Sequence, residues 1–224
     1  MDLLNFTEYF KSNSLVLLLT LAATMIGSAW INYLYPKAQK RGSLSFPEEI
    51  VTRSNLRKRF LFPALLICFY KAWNQLSCPE LCYILTAIAI LLYFTVTDFE
   101  QHVILDEMLL VFAIFGFCYA LHLHLPILNR IFASLAGGLF FLILAIISKG
   151  AIGGGDIKLI AALGLWLGLK SLLSIIVYGA MAGGIAALVL LLFKKIKRNQ
   201  YLAYGPYFAL SAIGIMLDLL NVLF

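Results

Sequence analysis

Long apolar runs, spaced along the whole chain, are the feature that most restricts how it can fold. Each run approaches the length that an α-helix needs to cross a hydrocarbon core of about 30 Å. Of the 224 residues, 62% are hydrophobic and only 12% are charged, against about 25% charged in soluble domains. Backbone polar groups inside a bilayer must be paired within their own segment, so such runs fold as helices. The sequence therefore predicts an all-α, polytopic membrane protein and excludes an ordinary soluble globule.

Eight apolar runs can be assigned, and they predict about eight transmembrane helices in a single membrane-embedded domain, 1–224. The runs are Leu15–Tyr35, Phe60–Leu76, Leu81–Thr97, Val103–Leu121, Ile127–Ile147, Ile157–Gly168, Leu172–Phe193 and Ala203–Leu223. The longest connection, at 36–59, is too short to bury a core of its own. We expect it to be a short cytoplasmic loop.

The positions of the basic residues predict the orientation of the chain. Most of the 17 Lys and Arg residues lie in or beside the connections that follow the first, fifth and seventh runs. With eight helices, these connections share one side of the membrane, which the positive-inside rule identifies as the cytoplasm. Both termini are then outside. The net charge of +6 reflects orientation in the lipid bilayer, and no nucleic-acid partner is predicted.

Two aspartates at the ends of apolar runs are the candidate catalytic residues. Asp98 directly follows the third run and Asp156 directly precedes the sixth, so the predicted topology places both at the cytoplasmic rim. Ionisable groups near hydrocarbon are costly, and their presence there indicates a function. Two close carboxyl groups share one proton and can activate a water molecule for attack on a peptide bond. This chemistry requires no metal ion and no cofactor.

Three consecutive glycines, residues 153–155, precede Asp156. Their backbone freedom allows a substrate strand or a partner helix to approach closely. A simpler interpretation is a flexible turn in which Asp156 caps the following helix. For Asp98, the simpler interpretation is a helix-end residue that faces headgroup water. The residues alone leave both alternatives open.

Several motifs resemble the type IV prepilin peptidase (leader peptidase) family of Gly-x-Gly-Asp membrane aspartic proteases. The segment Gly153-Gly154-Gly155-Asp156-Ile157-Lys158 resembles the motif around the second catalytic aspartate. Asp98, followed by Ile104 and Asp106, resembles the first catalytic aspartate and the Ile-Pro-Asp downstream of it. Three further segments resemble the family in the same order, at 27–32, 159–164 and 203–210.

The resemblance implies a membrane-embedded aspartic endopeptidase of the bacterial inner membrane, active at its cytoplasmic face. Its substrates would be type IV prepilins or pseudopilins, which serve pili or protein secretion and lose a short basic leader. The catalytic pair would be Asp98 and Asp156. The active-site loop would include Gly153, Gly155 and Lys158.

A basic leader should approach acidic groups near the catalytic pair. Three acidic residues follow Asp98 closely in the sequence and are candidate substrate-binding residues: Glu100, Asp106 and Glu107. We predict that reversing the charge of Glu100 or Glu107 raises KM for lysine-rich leaders.

The first connection departs from the family pattern. Many bacterial members carry a larger cytoplasmic domain there, with two Cys-x-x-Cys pairs that suit zinc, and also methylate the new N-terminus of the substrate. The connection at 36–59 contains no cysteine, so structural zinc is not expected. S-adenosylmethionine is needed only if methyltransferase activity is retained. Cys78 and Cys82 lie in the next, outward-facing connection, where free or buried thiols are favoured over a disulfide.

Two other functions remain to be weighed. A presenilin-like intramembrane protease uses a related motif, but the segment Pro63-Ala64-Leu65-Leu66, which resembles the proline motif of that group, precedes both aspartates instead of following them. A small cation- or proton-coupled transporter would place paired aspartates on a path across the midplane. The predicted topology places them at one rim.

Overall fold

The chain folds as a bundle of α-helices. The computed structural model describes residues 3–76, 78–148, 152–193 and 204–218, without the side chains at 3–12, 51–56, 58, 78 and 79. The helices are α1 (Leu3–Lys40), α2 (Ile50–Gln75), α3 (Cys78–Gln101), α4 (Asp106–His122), α5 (Ile127–Ile147), α6 (Gly154–Leu192) and α7 (Gly205–Met216), with a 3₁₀ turn at Pro47–Glu49. These ranges contain no β-strand, which confirms the all-α class.

Four segments of the described chain are long and apolar enough to cross a membrane. They are Asn13–Lys40, Glu80–Gln101, Ile127–Ile147 and Gly154–Leu192. The helix α7 is a shorter apolar helix, and the end of the last predicted run lies outside the described residues. The polytopic class is confirmed, whereas the number of eight crossings and the orientation remain predictions.

The segment 36–59 is mostly helical, which differs from the expected loop. Helix α1 continues through Pro36 to Lys40, and α2 begins at Ile50. Proline inside a helix removes one backbone hydrogen bond, but Tyr35 and Ala38 are buried on either side of it. Packing therefore carries the helix past the proline, and residues 41–46 form the connection before the 3₁₀ turn.

Helix α3 is the central helix of the bundle. Helices α1, α2, α4 and α7 pack around it, and α6 packs against α4, α5 and α7. Leu91 and Phe94 in its second half are completely buried, whereas most of the apolar surface of the other three candidate spans remains exposed. Such exposed apolar surface is expected where lipid is the solvent. The burial of α3 fixes the helix that carries Asp98.

Helix α6 reverses its direction at Gly168, whose φ of 75° and ψ of 178° are not helical. A Cβ atom on Gly137 of α5 would lie 2.7 Å from the side chain of Leu172 and 3.1 Å from that of Ile160. In a straight helix, two residues twelve positions apart would be separated by about 18 Å. The two arms of α6, 154–167 and 169–192, therefore run antiparallel. The reversal matches the boundary predicted between the sixth and seventh runs.

Arg130 in the first turn of α5 stabilises this reversal. Its Nη1 atom donates hydrogen bonds to the backbone carbonyl groups of Leu165 (3.1 Å) and Trp166. The last carbonyl groups of a helix have no partner within that helix, and a cation there also interacts favourably with the helix dipole. Arg130 thus acts as the C-terminal cap of the first arm of α6.

Close contacts around the first arm of α6 join three helices. A Cβ atom on Gly164 would lie 2.6 Å from the backbone N of Ser134, so α5 and α6 approach each other at backbone distance. Trp166 is completely buried, and its Nε1 donates a hydrogen bond of 2.7 Å to the carbonyl of Phe112 in α4. A Cβ atom on Gly116 would lie 2.5 Å from the Trp166 ring. These contacts hold the helix that begins beside Asp156.

Candidate active site

The two candidate catalytic aspartates lie at helix ends that meet inside the bundle. Asp98 is in the last turn of α3, and Asp156 is in the first turn of α6. Both side chains are buried, with exposures of 6% and 9%. Both carboxyl groups also lie beside Gly205, so the structure brings together two groups that are far apart in the sequence, as the predicted pair requires.

Gly205, the first residue of α7, lies next to both carboxyl groups. A Cβ atom at this position would be 2.9 Å from Oδ2 of Asp98 and 3.1 Å from Oδ1 of Asp156. The two oxygens can be no further apart than the sum of these distances, about 6 Å. One water molecule spans a gap of this size with two hydrogen bonds of about 2.8 Å each. A side chain at position 205 would occupy the space that the two carboxyl groups share.

The surroundings of the two carboxyl groups differ. The carboxyl group of Asp156 lies close to the backbone N–H groups of Gly153 and Gly205. Oδ2 of Asp98 is buried and has no hydrogen-bond partner within the described part of the chain. Unpaired buried polar atoms are rare because they cost free energy, and they call for an explanation. One explanation is that this oxygen of Asp98 binds water or substrate.

The glycine segment shapes the start of α6. The backbone of Gly153 is extended, and its carbonyl accepts hydrogen bonds from the N–H groups of Asp156 and Ile157. A Cβ atom on Gly155 would lie 3.1 Å from Cβ of Ile104, whereas Gly154 faces open space. The expected close approach of another segment therefore occurs at Gly155. Gly153 positions the start of α6, and with it Asp156, through its carbonyl group.

Two exposed ion pairs involve the candidate loop and substrate-binding residues. Nζ of Lys158 lies 2.6 Å from Oδ1 of Asp106, and both side chains are more than half exposed. Glu107 pairs with Arg41 at 3.0 Å and is about one-third exposed. Asp106 and Glu107 form the first turn of α4. Lys158 thus links the first turns of α6 and α4.

Glu100 has a different environment from the one predicted. It is only 4% exposed, and both of its carboxylate oxygens accept hydrogen bonds from Arg57. It is therefore not available to a basic leader. The prediction considered charge and proximity to Asp98 in the sequence, whereas burial depends on the helices that cover this face of α3.

Sequence reasoning missed two residues that contact the site. Gly205 lies in a segment that resembles the family, but no role was predicted for it, and Ile104 packs against Gly155 and Gly205. The Gly-Pro pair at 205–206, at the start of an apolar helix, is the signal that indicates a close backbone approach at this point.

Cys82 lies near the start of α3, whereas Asp98 lies near its end. Cys82 is free and exposed, and the side chain of Cys78 lies outside the described residues, so the state of this pair stays a prediction. Among the residues that the structure describes, no group of three or more His, Cys, Asp or Glu side chains is arranged to hold a metal ion.

Comparisons with known proteins identify relatives of this chain. A relative from Bacillus subtilis (strain 168), a prepilin leader peptidase/N-methyltransferase, is 32% identical over 130 residues, which cover 56% of this chain and 51% of the relative. A protein of the same name from Aeromonas salmonicida is 23% identical over 187 residues, covering 81% and 62%. Another, from Pectobacterium carotovorum subsp. carotovorum, is 30% identical over 145 residues, covering 62% and 52%. No solved structure matches.

The match to a family model covers more than half of the chain and includes both aspartates. The model describes the type IV leader peptidase family and matches residues 85–224, which contain Asp98, Asp156 and Gly205. The chain spans between half and two-thirds of the length of the three relatives named above. On the family match and the arrangement of these residues, the chain belongs to the type IV leader peptidase family.

Proposed function

We propose that this chain is an aspartic endopeptidase of the bacterial inner membrane that removes the basic leader of type IV prepilins or pseudopilins. The observation that carries the proposal is that the carboxyl groups of Asp98 and Asp156 both lie within about 3 Å of one point, the Cβ position of Gly205. Family membership and the names of the relatives, which are prepilin leader peptidases, support it.

The proposed mechanism uses one proton shared by the two carboxyl groups. Two buried carboxylates at this separation repel each other, so one of them holds a proton while the other stays ionised. The ionised group takes a proton from a water molecule as that water attacks the scissile carbonyl carbon. The protonated group donates its proton to the carbonyl oxygen as negative charge develops there. The first group then passes the proton that it took from water to the leaving nitrogen as the C–N bond breaks, and the second group takes back a proton as the carbonyl forms again.

We assign the base to Asp156 and the acid to Asp98. Asp156 lies at a helix N-terminus, where the dipole favours a carboxylate, and the backbone N–H groups of Gly153 and Gly205 lie close to its carboxyl group. Asp98 lies at a helix C-terminus, where the dipole does not favour negative charge, and its Oδ2 is unpaired. The local contacts therefore favour the charged form of Asp156 and the neutral form of Asp98.

The first turn of α4 is the surface proposed to contact the leader. Asp106 and Glu107 are partly exposed and carry negative charge, with Lys158 and Arg41 as their ion-pair partners. Exposed pairs of this kind contribute about 0–1 kcal/mol, so a lysine or arginine of the leader can replace either partner at little cost. The predicted topology places this surface in the cytoplasm.

A cleavage assay with matched variants tests the proposal. Detergent-solubilised protein is incubated with a model prepilin that has glycine before its apolar segment, and wild type is compared with Asp98→Asn and Asp156→Asn. Each variant should fold and fail to cleave. Asp218→Asn is the control, because Asp218 is exposed and has a positive φ that asparagine readily adopts. Normal cleavage by either aspartate variant, once it is shown to be folded, would contradict the proposal.

Methyl transfer is tested separately from proteolysis. The relatives are named both as peptidases and as N-methyltransferases, whereas the proposed acid–base steps of peptide hydrolysis use only the two carboxyl groups and water. With S-adenosylmethionine supplied, mass spectrometry of the processed substrate reads the second activity directly. An N-terminus heavier by one methyl group assigns it to this chain, and an unmodified N-terminus assigns proteolysis alone.

A further inference from the structure

The helices α1 and α2 contain a buried polar cluster that the proposed mechanism does not use. They lie outside the segment 85–224 that matches the family model. Even so, polar groups of both helices converge on Glu100, two residues after Asp98. The cluster therefore contacts the helix end that carries the catalytic pair's first residue.

Arg57 of α2 is at the centre of the cluster. It is 1% exposed. Its Nε donates a hydrogen bond of 3.0 Å to Oε1 of Glu100, and its Nη2 donates one of 2.8 Å to Oε2. Its Nη1 donates hydrogen bonds to Oδ1 of Asn32 (2.7 Å) and to the carbonyl of Ser28 (3.3 Å). A bidentate pair of this kind fixes orientation as well as distance.

Tyr35 of α1 completes the set of contacts around Glu100. Its hydroxyl donates a hydrogen bond of 2.6 Å to Oε2 of Glu100, and its ring lies 5.3 Å from the Arg57 guanidinium. Both oxygens of the carboxylate thus accept hydrogen bonds from groups of α1 or α2. Three helices are joined at this single side chain of α3.

The cluster holds the side of α3 opposite to the catalytic pair. Two positions along an α-helix correspond to a rotation of about 200°, and the contacts agree, because Asp98 faces Gly205 of α7 whereas Glu100 faces α1 and α2. The connection between α1 and α2 adds a second attachment one residue later. The side chain of Gln101 exchanges two hydrogen bonds, of 2.9 and 3.0 Å, with the backbone of Phe46.

The segment 27–32 of α1 explains how these helices come close enough. A Cβ atom on Gly27 would lie 2.3 Å from the ring of Tyr93 in α3, so only glycine leaves room for this ring. The Tyr93 hydroxyl donates a hydrogen bond of 2.6 Å to the carbonyl of Ala23. Ser28, which follows Gly27, and Asn32, one turn further along α1, accept hydrogen bonds from Arg57. The segment therefore attaches α1 to α3 and orients the arginine at the same time.

We propose that Arg57 is a positioning residue for the catalytic pair. By fixing Glu100, it holds the end of α3 in the position in which the Asp98 carboxyl group faces Asp156. The inference rests on the proposed peptidase function. Arg57 touches neither the substrate nor the reacting atoms, and it acts through Glu100 and the helix backbone. Loss of the pair leaves substrate binding in place and slows the chemical step.

The test compares kcat and KM for variants of the full chain in detergent. Arg57→Met should lower kcat for leader cleavage by about 10- to 100-fold, because small misplacements of catalytic groups have effects of this size, while KM stays within about twofold of wild type. Arg57→Lys keeps the charge but loses the bidentate geometry, so its kcat should lie between those of wild type and Arg57→Met. Arg59→Met is the control, since Arg59 is an exposed arginine of the same helix.

A double variant separates positioning from folding. Arg57→Met combined with Glu100→Leu leaves no unpaired charge in the interior, and such apolar replacements often preserve stability. The proposal expects this protein to fold, with a wild-type elution profile, and to cleave with a low kcat. Wild-type kcat in the folded double variant would overturn it. So would a kcat per folded molecule that is unchanged in Arg57→Met. If wild type and Arg59→Met both fail to cleave, the proposed peptidase function is what fails.

Discussion

The backbone of Gly205 lies so close to Asp98 that a methyl group at position 205 would be 2.9 Å from Oδ2 of that carboxyl group. It would also be 3.1 Å from Oδ1 of Asp156. The nearest atoms are thus the ends of three side chains, those of Asp98, Asp156 and Ile104, which can move, and not backbone. The contact therefore constrains the catalytic geometry more than it constrains folding.

Gly205→Ala should inactivate the protein without unfolding it. The added methyl group displaces the two carboxyl groups from each other, and a misplacement of about 1 Å can reduce the rate about 100-fold. Gly184→Ala is the control, because a Cβ atom at Gly184 meets no atom within 4 Å. Cleavage rates and thermal unfolding are measured for both variants. If Gly205→Ala cleaves as fast as Gly184→Ala, the two carboxyl groups do not act together in the space that Gly205 leaves.

The ion pair between Lys158 and Asp106 should compete with a basic leader. Removing the lysine with Lys158→Met frees Asp106 and should lower KM for a lysine-rich leader, whereas Asp106→Asn should raise it. Both effects should weaken with added salt, since exposed charges are screened. The same substrate with a neutral leader is the control and should respond to neither variant. Equal changes of KM with both leaders would show that charge recognition is not the cause.

The reversal of α6 should depend on glycine at position 168. Its φ of 75° and ψ of 178° lie in a region that is essentially restricted to glycine, and strain of this kind costs about 1–3 kcal/mol. Gly168→Ala should lower the free energy of unfolding by that amount, measured by denaturation in detergent, and Gly184→Ala serves as the control. Unchanged stability of Gly168→Ala would mean that the two arms of α6 do not reverse at this residue.

Much of the helical architecture can be predicted from the sequence, because a long apolar run inside a bilayer folds as a helix. Helix α5 has the predicted bounds, Ile127–Ile147, and Gly168 ends the sixth run as it ends the first arm of α6. The pairing of Asp98 and Asp156 was predicted from their positions at the ends of apolar runs together with the family resemblance. The helix bounds depend on local composition, which the sequence contains directly.

Features that depend on packing could not be predicted in the same way. The first apolar run was predicted to end at Tyr35, but the burial of Tyr35 and Ala38 keeps the chain helical through Pro36 to Lys40. Glu100 resembled a surface charge next to Asp98, yet it faces the opposite side of α3 and is paired with Arg57. Arg57 itself was counted only as evidence for orientation. In each case the deciding contact comes from another helix.

The most direct test of the account is a structure of the full chain bound to a prepilin peptide in which a hydroxyethylene group replaces the scissile amide. The hydroxyl of such a group takes the place of the attacking water. We predict that it lies within hydrogen-bonding distance, about 3 Å, of carboxyl oxygens from both Asp98 and Asp156. A peptide bound in the active protein with its hydroxyl remote from either aspartate would contradict the account.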